Sequence, residues 1–260
     1  MAPAPRGLAW SETTSNEYCV FLSHVYKLAI DAGKLSVNPA AQTHRYKLNN
    51  ERDRVLSFEE EDRLRKAIRE NYPAKEPEFD LALHTGVRKS NLYGTSGSKR
   101  RYMAPLLWSD VNLDWKVMTL PRSKGGKGYR VPLNSVAMAA LKILRERSSD
   151  GTGPVIRKPS GLEIGSCRKW FEACLMKAAI QDFCYHDLRH TFATRLRANK
   201  VSIEDIAALL GHDLKKYRMT LRYANPDLDR LHEAVATLVG QTSTKTDTGS
   251  VVAISAARTA

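Results

Sequence analysis

Apolar positions recur at helical spacing through most of the chain. Leu188, Phe192 and Leu196 stand four residues apart, so they form one stripe if this stretch is a helix. Residues 111–120 and 129–133 instead have the pattern of strands and flank a turn with two adjacent glycines. The chain is therefore predicted to be mainly α-helical with a small antiparallel β-sheet, an α+β fold. Further helices are predicted over residues 15–32, 57–70, 78–84, 135–147, 164–179 and 226–239.

Capping residues mark several of the predicted helix ends. Ser57 and Ser202 each stand three residues before an acidic side chain, which is close to the pattern of a capping box. Asp182 and Ser135 are predicted to cap two further helices. Gly211 is expected to end the helix that Ser202 begins, because glycine tolerates the left-handed conformation common at that position.

The net charge of the chain indicates which class of binding partner to expect. Its 260 residues carry a formal net charge of +13 and 42% are hydrophobic, which predicts a folded core and a polyanionic partner. Cys19, Cys167, Cys174 and Cys184 lack metal-ligand spacing, so we expect them to be reduced and buried, as in an intracellular protein. No stretch reaches the roughly 18 apolar residues of a membrane span or resembles a signal peptide.

His186 and Arg189 place candidate chemistry on one of the predicted helices. They stand three residues apart, so they lie one turn from each other. A planar guanidinium matches two phosphate oxygens, and an imidazole can transfer a proton near neutral pH. The pair therefore suits a phosphate group, although a solvated charged face would have the same pattern.

Further motifs occur in order along the chain. Thr-Gly-x-Arg ends at Arg88, His-x-Leu-Arg-His-Thr-Phe-Ala-Thr begins at His186, Leu-Leu-Gly-His ends at His212, and Thr-x-x-Tyr ends at Tyr223. Together they resemble the tyrosine recombinases, the phage-integrase family, over about residues 15–240. The resemblance implies a tyrosine-recombinase-like catalytic domain. It also implies cleavage and rejoining of DNA through a 3′-phosphotyrosyl intermediate, without a metal ion or another cofactor.

The resemblance gives a role to each matched residue. Arg88 and Arg189 would hold the non-bridging oxygens of the scissile phosphate, and His212 would add a hydrogen-bond donor. His186 would act as a general base or acid.

Two further roles leave alternatives open. Lys124, counted back from the Val-Pro-Leu strand, would protonate the departing 5′ oxygen, with Lys127 as the runner-up and a predicted phosphate contact. Tyr223 would be the nucleophile. The interval from His212 is longer than is typical of the family, and Tyr217 lies inside it, so Tyr217 is the alternative nucleophile.

The same resemblance predicts the domain organisation. Residues 1–14 and 241–260 are expected to be disordered. Residues 15–53 would be a partial helical core-binding segment with a linker, and residues 54–240 the catalytic domain. The helix after the nucleophile could dock within its own subunit or on a neighbour.

Basic residues outside the catalytic set are predicted to contact DNA. Residues 95–104 resemble an inserted loop. This loop either lies on the surface and touches DNA, or it displaces Arg88 from its expected position. Residues 41–55 are predicted to form a linker. This linker either lies along the backbone phosphates of DNA or is solvated without contacting them. The predicted DNA-binding residues are Arg45, Lys47, Lys99, Arg100, Arg101 and Lys127.

The resemblance implies a site-specific recombinase of the integrase type, encoded by a bacterium or phage and acting in the cytoplasm. Its partners would be double-stranded DNA attachment sites, three further copies of the chain in a tetramer, and accessory DNA-bending proteins. A type IB topoisomerase-like activity and a catalytically inactive DNA-binding remnant are the alternatives.

Overall fold

The computed structural model describes residues 10–48, 52–95, 103–121, 128–148, 151–157, 167–212 and 227–240. It divides into two compact units, with the boundary between Arg52 and Asp53. The tail over residues 241–260 and the first nine residues lie outside the described part. Residues 12–14 are helical, which corrects the prediction of disorder up to residue 14.

The first unit is built on one long helix. Helix α1 (Glu12–Asp31) begins earlier than predicted because the Ser11 hydroxyl accepts a hydrogen bond from the Thr14 amide at 3.2 Å. The chain then returns along α1 through a 3-10 helix (Pro39–Gln42), and Asn16 exchanges two hydrogen bonds with the Tyr46 backbone at 2.9 and 3.0 Å. None of the residues of α1 is buried.

The second unit contains the other helices and strands that the structure describes. The helices are α2 (Phe58–Asn71), α3 (Glu76–Thr85), α4 (Lys89–Tyr93), α5 (Ser135–Glu146), α6 (Arg168–Lys177), α7 (Asp187–Ala198), α8 (Ile203–Leu209) and α9 (Leu228–Ala236). The strands are β1 (Val111–Asn112), β2 (Val117–Leu120) and β3 (Tyr129–Pro132), in one antiparallel sheet of order β1-β2-β3. The mainly α-helical fold with a small antiparallel sheet is confirmed.

The predicted strand over residues 111–120 is interrupted by a turn. The Asn112 side chain accepts a hydrogen bond from the Trp115 amide at 2.9 Å, and Lys116 has a positive φ of 50°. Asparagine favours such local hydrogen bonds over a strand ladder. The chain therefore reverses here, and β2 pairs with β3 so that Leu120 lies opposite Tyr129.

Several of the predicted helix ends are confirmed. The Ser57 hydroxyl accepts from the Glu60 amide at 3.2 Å, and the Ser202 hydroxyl accepts from the Asp205 amide at 3.1 Å. Gly211 follows α8 with a φ of 62°, in the left-handed region.

Two predicted caps are wrong. Asn134, and not Ser135, caps α5, with its side-chain oxygen accepting from the Ala137 amide at 3.0 Å. Helix α7 begins directly after His186, and Asp182 lies outside it with a φ of 47°. Asparagine and serine are both good caps, so the neighbouring sequence does not decide between them.

The core of the second unit has two clusters. The larger one lies among α2, α3, α5, α6 and the sheet, and the smaller one joins α7, α8 and α9. In the smaller cluster, Leu231, Val235 and Leu238 lie with Phe192 and Leu196, so α9 packs within its own chain.

Some large apolar side chains of the helices are exposed. Ile143 of α5 is 40% exposed, and Phe21 of α1 is 62% exposed. Cys167 and Cys174 are buried, but Cys184 is exposed and Cys19 is only partly buried, which corrects the prediction that all four are buried. None of the helices described has both the length and the apolar character that a membrane crossing requires.

Candidate active site

The segment after α3 brings Arg88 to the site. Gly86 ends α3 with a φ of 60°, and a β-carbon there would clash with the ring of Phe192 on α7. Because glycine has no β-carbon, α3 and α7 can approach closely at this point. Two residues after Gly86, Arg88 has an extended backbone conformation and directly precedes α4. The Arg88 side chain is partly exposed.

Arg189 connects three separate segments of the chain. Its Nη1 donates to the Gly86 carbonyl at 2.9 Å, and its Nη2 donates to the Leu210 carbonyl at 2.7 Å. Nη2 also lies 2.9 Å from His212 Nε2. Only 6% of Arg189 is exposed. One guanidinium therefore holds the Arg88 segment, α7 and the end of α8 together.

The contact with Arg189 defines the tautomer of His212. A guanidinium has only donors, so His212 Nε2 must accept and the ring proton lies on Nδ1. Burial, then the charges of Arg189 and Arg88, lower the pKa of His212. The neutral imidazole is therefore favoured, and Nδ1–H is the donor that remains for a ligand.

His186 stands at the start of α7 with its side chain exposed. The part of the ring that faces the protein is desolvated, and this partial burial lowers the pKa of His186 first, followed by the charges of His190 and Arg189, while Asp187 opposes the change and Arg88 adds to it more weakly. The rings of His186 and His190 lie 5.1 Å apart in an edge-on arrangement. His190 was not among the predicted site residues, although its spacing of four residues from His186 could have indicated it.

The site gathers positive charge, and in the part of the chain that the structure describes no carboxylate binds its central arginine. Burial and the charge of Arg88 lower the pKa of Arg189 to about 10, while Tyr129 opposes this change. The hydrogen bonds described above join Arg189 to neutral acceptors only. A buried charge without a counter-ion is costly, so the arrangement favours an anion beside Arg88 and Arg189.

The structure thus brings together four of the six predicted catalytic residues: Arg88, His186, Arg189 and His212. Two predicted DNA contacts, Arg45 and Lys47, are exposed in the first unit. Within the described ranges, no group of three His, Cys, Asp or Glu side chains could hold a metal ion. The predicted residues that lie outside the described part are Lys99, Arg100, Arg101, Lys124, Lys127, Tyr217 and Tyr223.

Comparison with known proteins identifies the family. The phage integrase family model matches residues 49–230. The chain belongs to the phage integrase family. It is 27% identical over 206 residues to the shufflon-specific DNA recombinase of Escherichia coli, covering 78% of this chain and 48% of that protein. It is 31% identical over 162 residues to the integrase of Salmonella phage P22, covering 56% of this chain and 38% of that protein.

Solved integrase structures share the fold. A lambda integrase dimer bound to a COC′ core site matches with a TM-score of 0.62 and 20% identity, over 81% of this chain and 59% of that chain. A lambda integrase tetramer bound to a Holliday junction matches with a TM-score of 0.61 and 20% identity, over 78% and 59%. The tyrosine-recombinase-like fold is therefore confirmed, in a chain that spans less than half the length of the two curated relatives above.

Proposed function

We propose that this chain is a site-specific DNA recombinase of the integrase type, which cleaves and rejoins DNA through a 3′-phosphotyrosyl intermediate. The observation that carries the proposal is the meeting of Arg88 and Arg189 with two imidazoles whose pKa values are lowered. Charge of this kind suits a phosphodiester whose non-bridging oxygens gain negative charge during the reaction.

The guanidinium of Arg189 is held in place before a substrate arrives. Two backbone carbonyls and His212 fix its plane, so its remaining N–H donors have a set direction. Donors that need no reorientation stabilise a transition state better than donors that must first be ordered. Arg88 lies beside it at the start of α4 and would neutralise a second non-bridging oxygen.

The remaining steps use residues assigned by the family resemblance. The Tyr223 oxygen would form a bond to phosphorus while the bond to the 5′ oxygen breaks. His186, neutral near pH 7, would take the tyrosine proton, and Lys124 would give a proton to the departing oxygen. Attack by a 5′-hydroxyl on the phosphotyrosine would reverse these steps, so strand exchange needs no ATP. Tyr217 remains the alternative nucleophile.

The proposed partner is double-stranded DNA. A net charge of +13 supports this, because a basic protein gains affinity by releasing counter-ions from DNA. Residues 54–240 would be the catalytic domain and residues 15–53 a partial core-binding segment. A homotetramer, accessory DNA-bending proteins and a cytoplasmic location belong to the same proposal, and the tetrameric lambda integrase on a Holliday junction supports the assembly.

The test is covalent trapping. The protein would be incubated with supercoiled plasmid in the presence of EDTA and without ATP, quenched with detergent, and digested for mass spectrometry. We expect a nucleotide-linked peptide containing Tyr223, and no adduct from the Tyr223→Phe variant. A linked peptide containing Tyr217 would change the nucleophile but keep the reaction.

Two other results would change the proposed function. Relaxed plasmid with an adduct, but no joining of two sites under any condition tested, would favour a topoisomerase-like activity. Salt-sensitive DNA binding without an adduct, on plasmid and on a native attachment site alike, would favour an inactive DNA-binding remnant.

A further inference from the structure

The turn that precedes α7 is closed by the carboxylate of Asp187. Its Oδ2 accepts a hydrogen bond from the Cys184 amide at 2.8 Å, and the Asp187 amide donates to the Cys184 carbonyl at 2.9 Å. Asp187 is the first residue of α7 and its exposure is 0%. A buried carboxylate requires hydrogen-bond partners, and one partner here is an amide of the turn itself. The reciprocal pair therefore fixes residues 184–187 as one unit.

His186 lies inside this turn. Tyr185 and Asp187 on either side of it are buried, whereas His186 is exposed. The His186 ring reaches the ring of His190, one turn further along α7, with their centroids 5.1 Å apart. Because both neighbours of His186 are fixed in the interior, the direction of the His186 side chain depends on the backbone of the turn.

Tyr185 anchors the same turn to the helix that follows Arg88. Its hydroxyl lies 3.2 Å from the Tyr93 hydroxyl, and the Tyr93 hydroxyl donates to Glu78 Oε2 at 3.1 Å. Tyr93 is the last residue of α4, which begins directly after Arg88. The turn is thus closed by Asp187 and held in the interior by a residue of α4.

We propose that Asp187 is a positioning residue for His186. Its carboxylate fixes the turn, and the turn sets the direction in which the imidazole leaves the start of α7. Asp187 occupies the unspecified position of the His-x-Leu-Arg motif, so the motif gives it no role. That His186 transfers a proton during the reaction rests on the proposed function, whereas the geometry of the turn is a property of the fold.

The first test is a graded series at Asp187. Asp187→Asn keeps an oxygen acceptor without the charge, and a neutral acceptor forms a weaker hydrogen bond, while Asp187→Ala removes the acceptor. We expect single-turnover adduct formation to fall about threefold in Asp187→Asn and about tenfold in Asp187→Ala, because a misplaced general base or acid transfers a proton less effectively. DNA affinity should stay close to that of the wild type. Each rate would be measured well below the melting temperature of the variant.

A second measurement reports the position of the His186 ring without cleavage. Full-length protein labelled with carbon-13 in its histidine rings would be examined for a nuclear Overhauser cross-peak between His186 and His190, whose rings are 5.1 Å apart. The two resonances would be assigned by their loss in His186→Gln and His190→Gln. We expect the cross-peak in the wild type, a weaker one in Asp187→Asn and none in Asp187→Ala.

Asp110 provides the matched control. Its Oδ2 accepts from the Leu107 amide at 3.1 Å, and its own amide donates to the Leu107 carbonyl at 3.0 Å, which is the same reciprocal pair in the segment before β1. Asp110→Ala should lower the melting temperature, as Asp187→Ala does. It should keep the cross-peak and the adduct rate of the wild type, because the turn that Asp110 closes does not contain His186.

The outcomes separate this role of Asp187 from the proposed function. If the wild type forms no adduct, the proposed function fails, while the cross-peak still tests Asp187. An unchanged cross-peak and rate in Asp187→Ala would overturn the positioning role. A cross-peak that Asp110→Ala loses as well would overturn it too, because general destabilisation would then explain the loss. If Asp187→Ala does not fold, Asp187→Asn decides, and a wild-type rate and cross-peak in that variant would overturn the role.

Discussion

Arg189 is a buried cation, and among the residues that the structure describes its hydrogen bonds go to two backbone carbonyls and an imidazole. Within that part of the chain no carboxylate binds it, as expected for a group that receives an anion. Arg195, also on α7, behaves differently: it forms an ion pair with Glu61 at 2.6 Å and stabilises the fold. Comparing Arg189 with Arg195 therefore compares a charge for binding with a charge for stability on the same helix.

Replacing Arg189 with lysine should abolish most of the activity while leaving DNA binding nearly intact. Lysine lacks the planar fork that reaches several acceptors at once. We expect adduct formation to slow by about 10²–10³-fold, the size of effect found for lost transition-state donors. The matched control is Arg195→Lys, which should lower the melting temperature but keep the adduct rate within a few-fold. Equal losses of rate in both variants would contradict this division.

His84 should make the protein sensitive to mild acid. Burial lowers its pKa to about 4, so the folded protein resists protonation that the unfolded chain accepts near pH 6.5. Stability from this group is complete above pH 6.5 and is lost as the pH falls towards 4, by about 2 kcal/mol at pH 5. Urea unfolding at pH 7 and pH 5 would measure it. His84→Gln should lose most of this difference, and His24→Gln, at an exposed position of α1, should retain it.

At the scale of elements, Asn134 holds three helices together. Its oxygen caps α5, while its Nδ2 lies 3.1 Å from His84 Nδ1 on α3 and donates to the Val235 carbonyl on α9 at 3.1 Å. One buried amide thus anchors α9, the helix that follows the proposed nucleophile, to the helix that leads into Arg88. Docking of α9 within the chain rests on this contact as well as on its apolar face.

Asn134→Ala should lower the free energy of unfolding by about 2–3 kcal/mol, because it removes a cap and leaves buried polar groups without a partner. Hydrogen exchange should increase more in α9 than in α2. Ser135→Ala is the control, since Ser135 is exposed and forms no cap. We expect that control to stay within about 0.5 kcal/mol of the wild type. A larger loss at Ser135 than at Asn134 would restore the capping assignment made from sequence.

Prediction from sequence succeeded where one residue type determines the local conformation. Ser57, Ser202 and Gly211 do so by capping or ending helices, and the motifs that contain Arg88 and Arg189 lie close together in the structure. It failed where two neighbouring residues could both cap a helix, as with Asn134 and Ser135. It also failed where the hydrogen bond of a side chain stabilises a turn inside a predicted strand. The backbone acceptors of Arg189 could not be predicted, because every residue has a carbonyl and the sequence does not indicate which carbonyls will face the guanidinium.

At the scale of the whole molecule, the net charge of the chain and its family both support the proposed binding of DNA. The net charge of +13 belongs to the entire chain, and Arg45 and Lys47 lie in the exposed segment after α1. Each lysine or arginine that contacts a phosphate adds about one unit to the dependence of binding on salt. The predicted role of this segment can therefore be tested without knowledge of the target sequence.

The double variant Arg45→Ala, Lys47→Ala should reduce the slope of log Kobs against log salt by about two units on non-specific duplex DNA. Fluorescence anisotropy over a range of salt concentrations would measure this. Lys66→Ala is the control, because Lys66 is exposed on α2 and lies 4.0 Å from Glu70. An unchanged slope in the double variant would show that the segment is only a solvated linker.

The bonds of Arg189 also span the chain, with partners 103 residues earlier at Gly86 and 21 residues later at Leu210. A nascent polypeptide still missing its last segments cannot close this arrangement, and neither can a fragment cut between the two ends. In the proposed reaction, strand cleavage would then require synthesis past Tyr223, the proposed nucleophile, as well as closure of the bond from Arg189 to the Leu210 carbonyl.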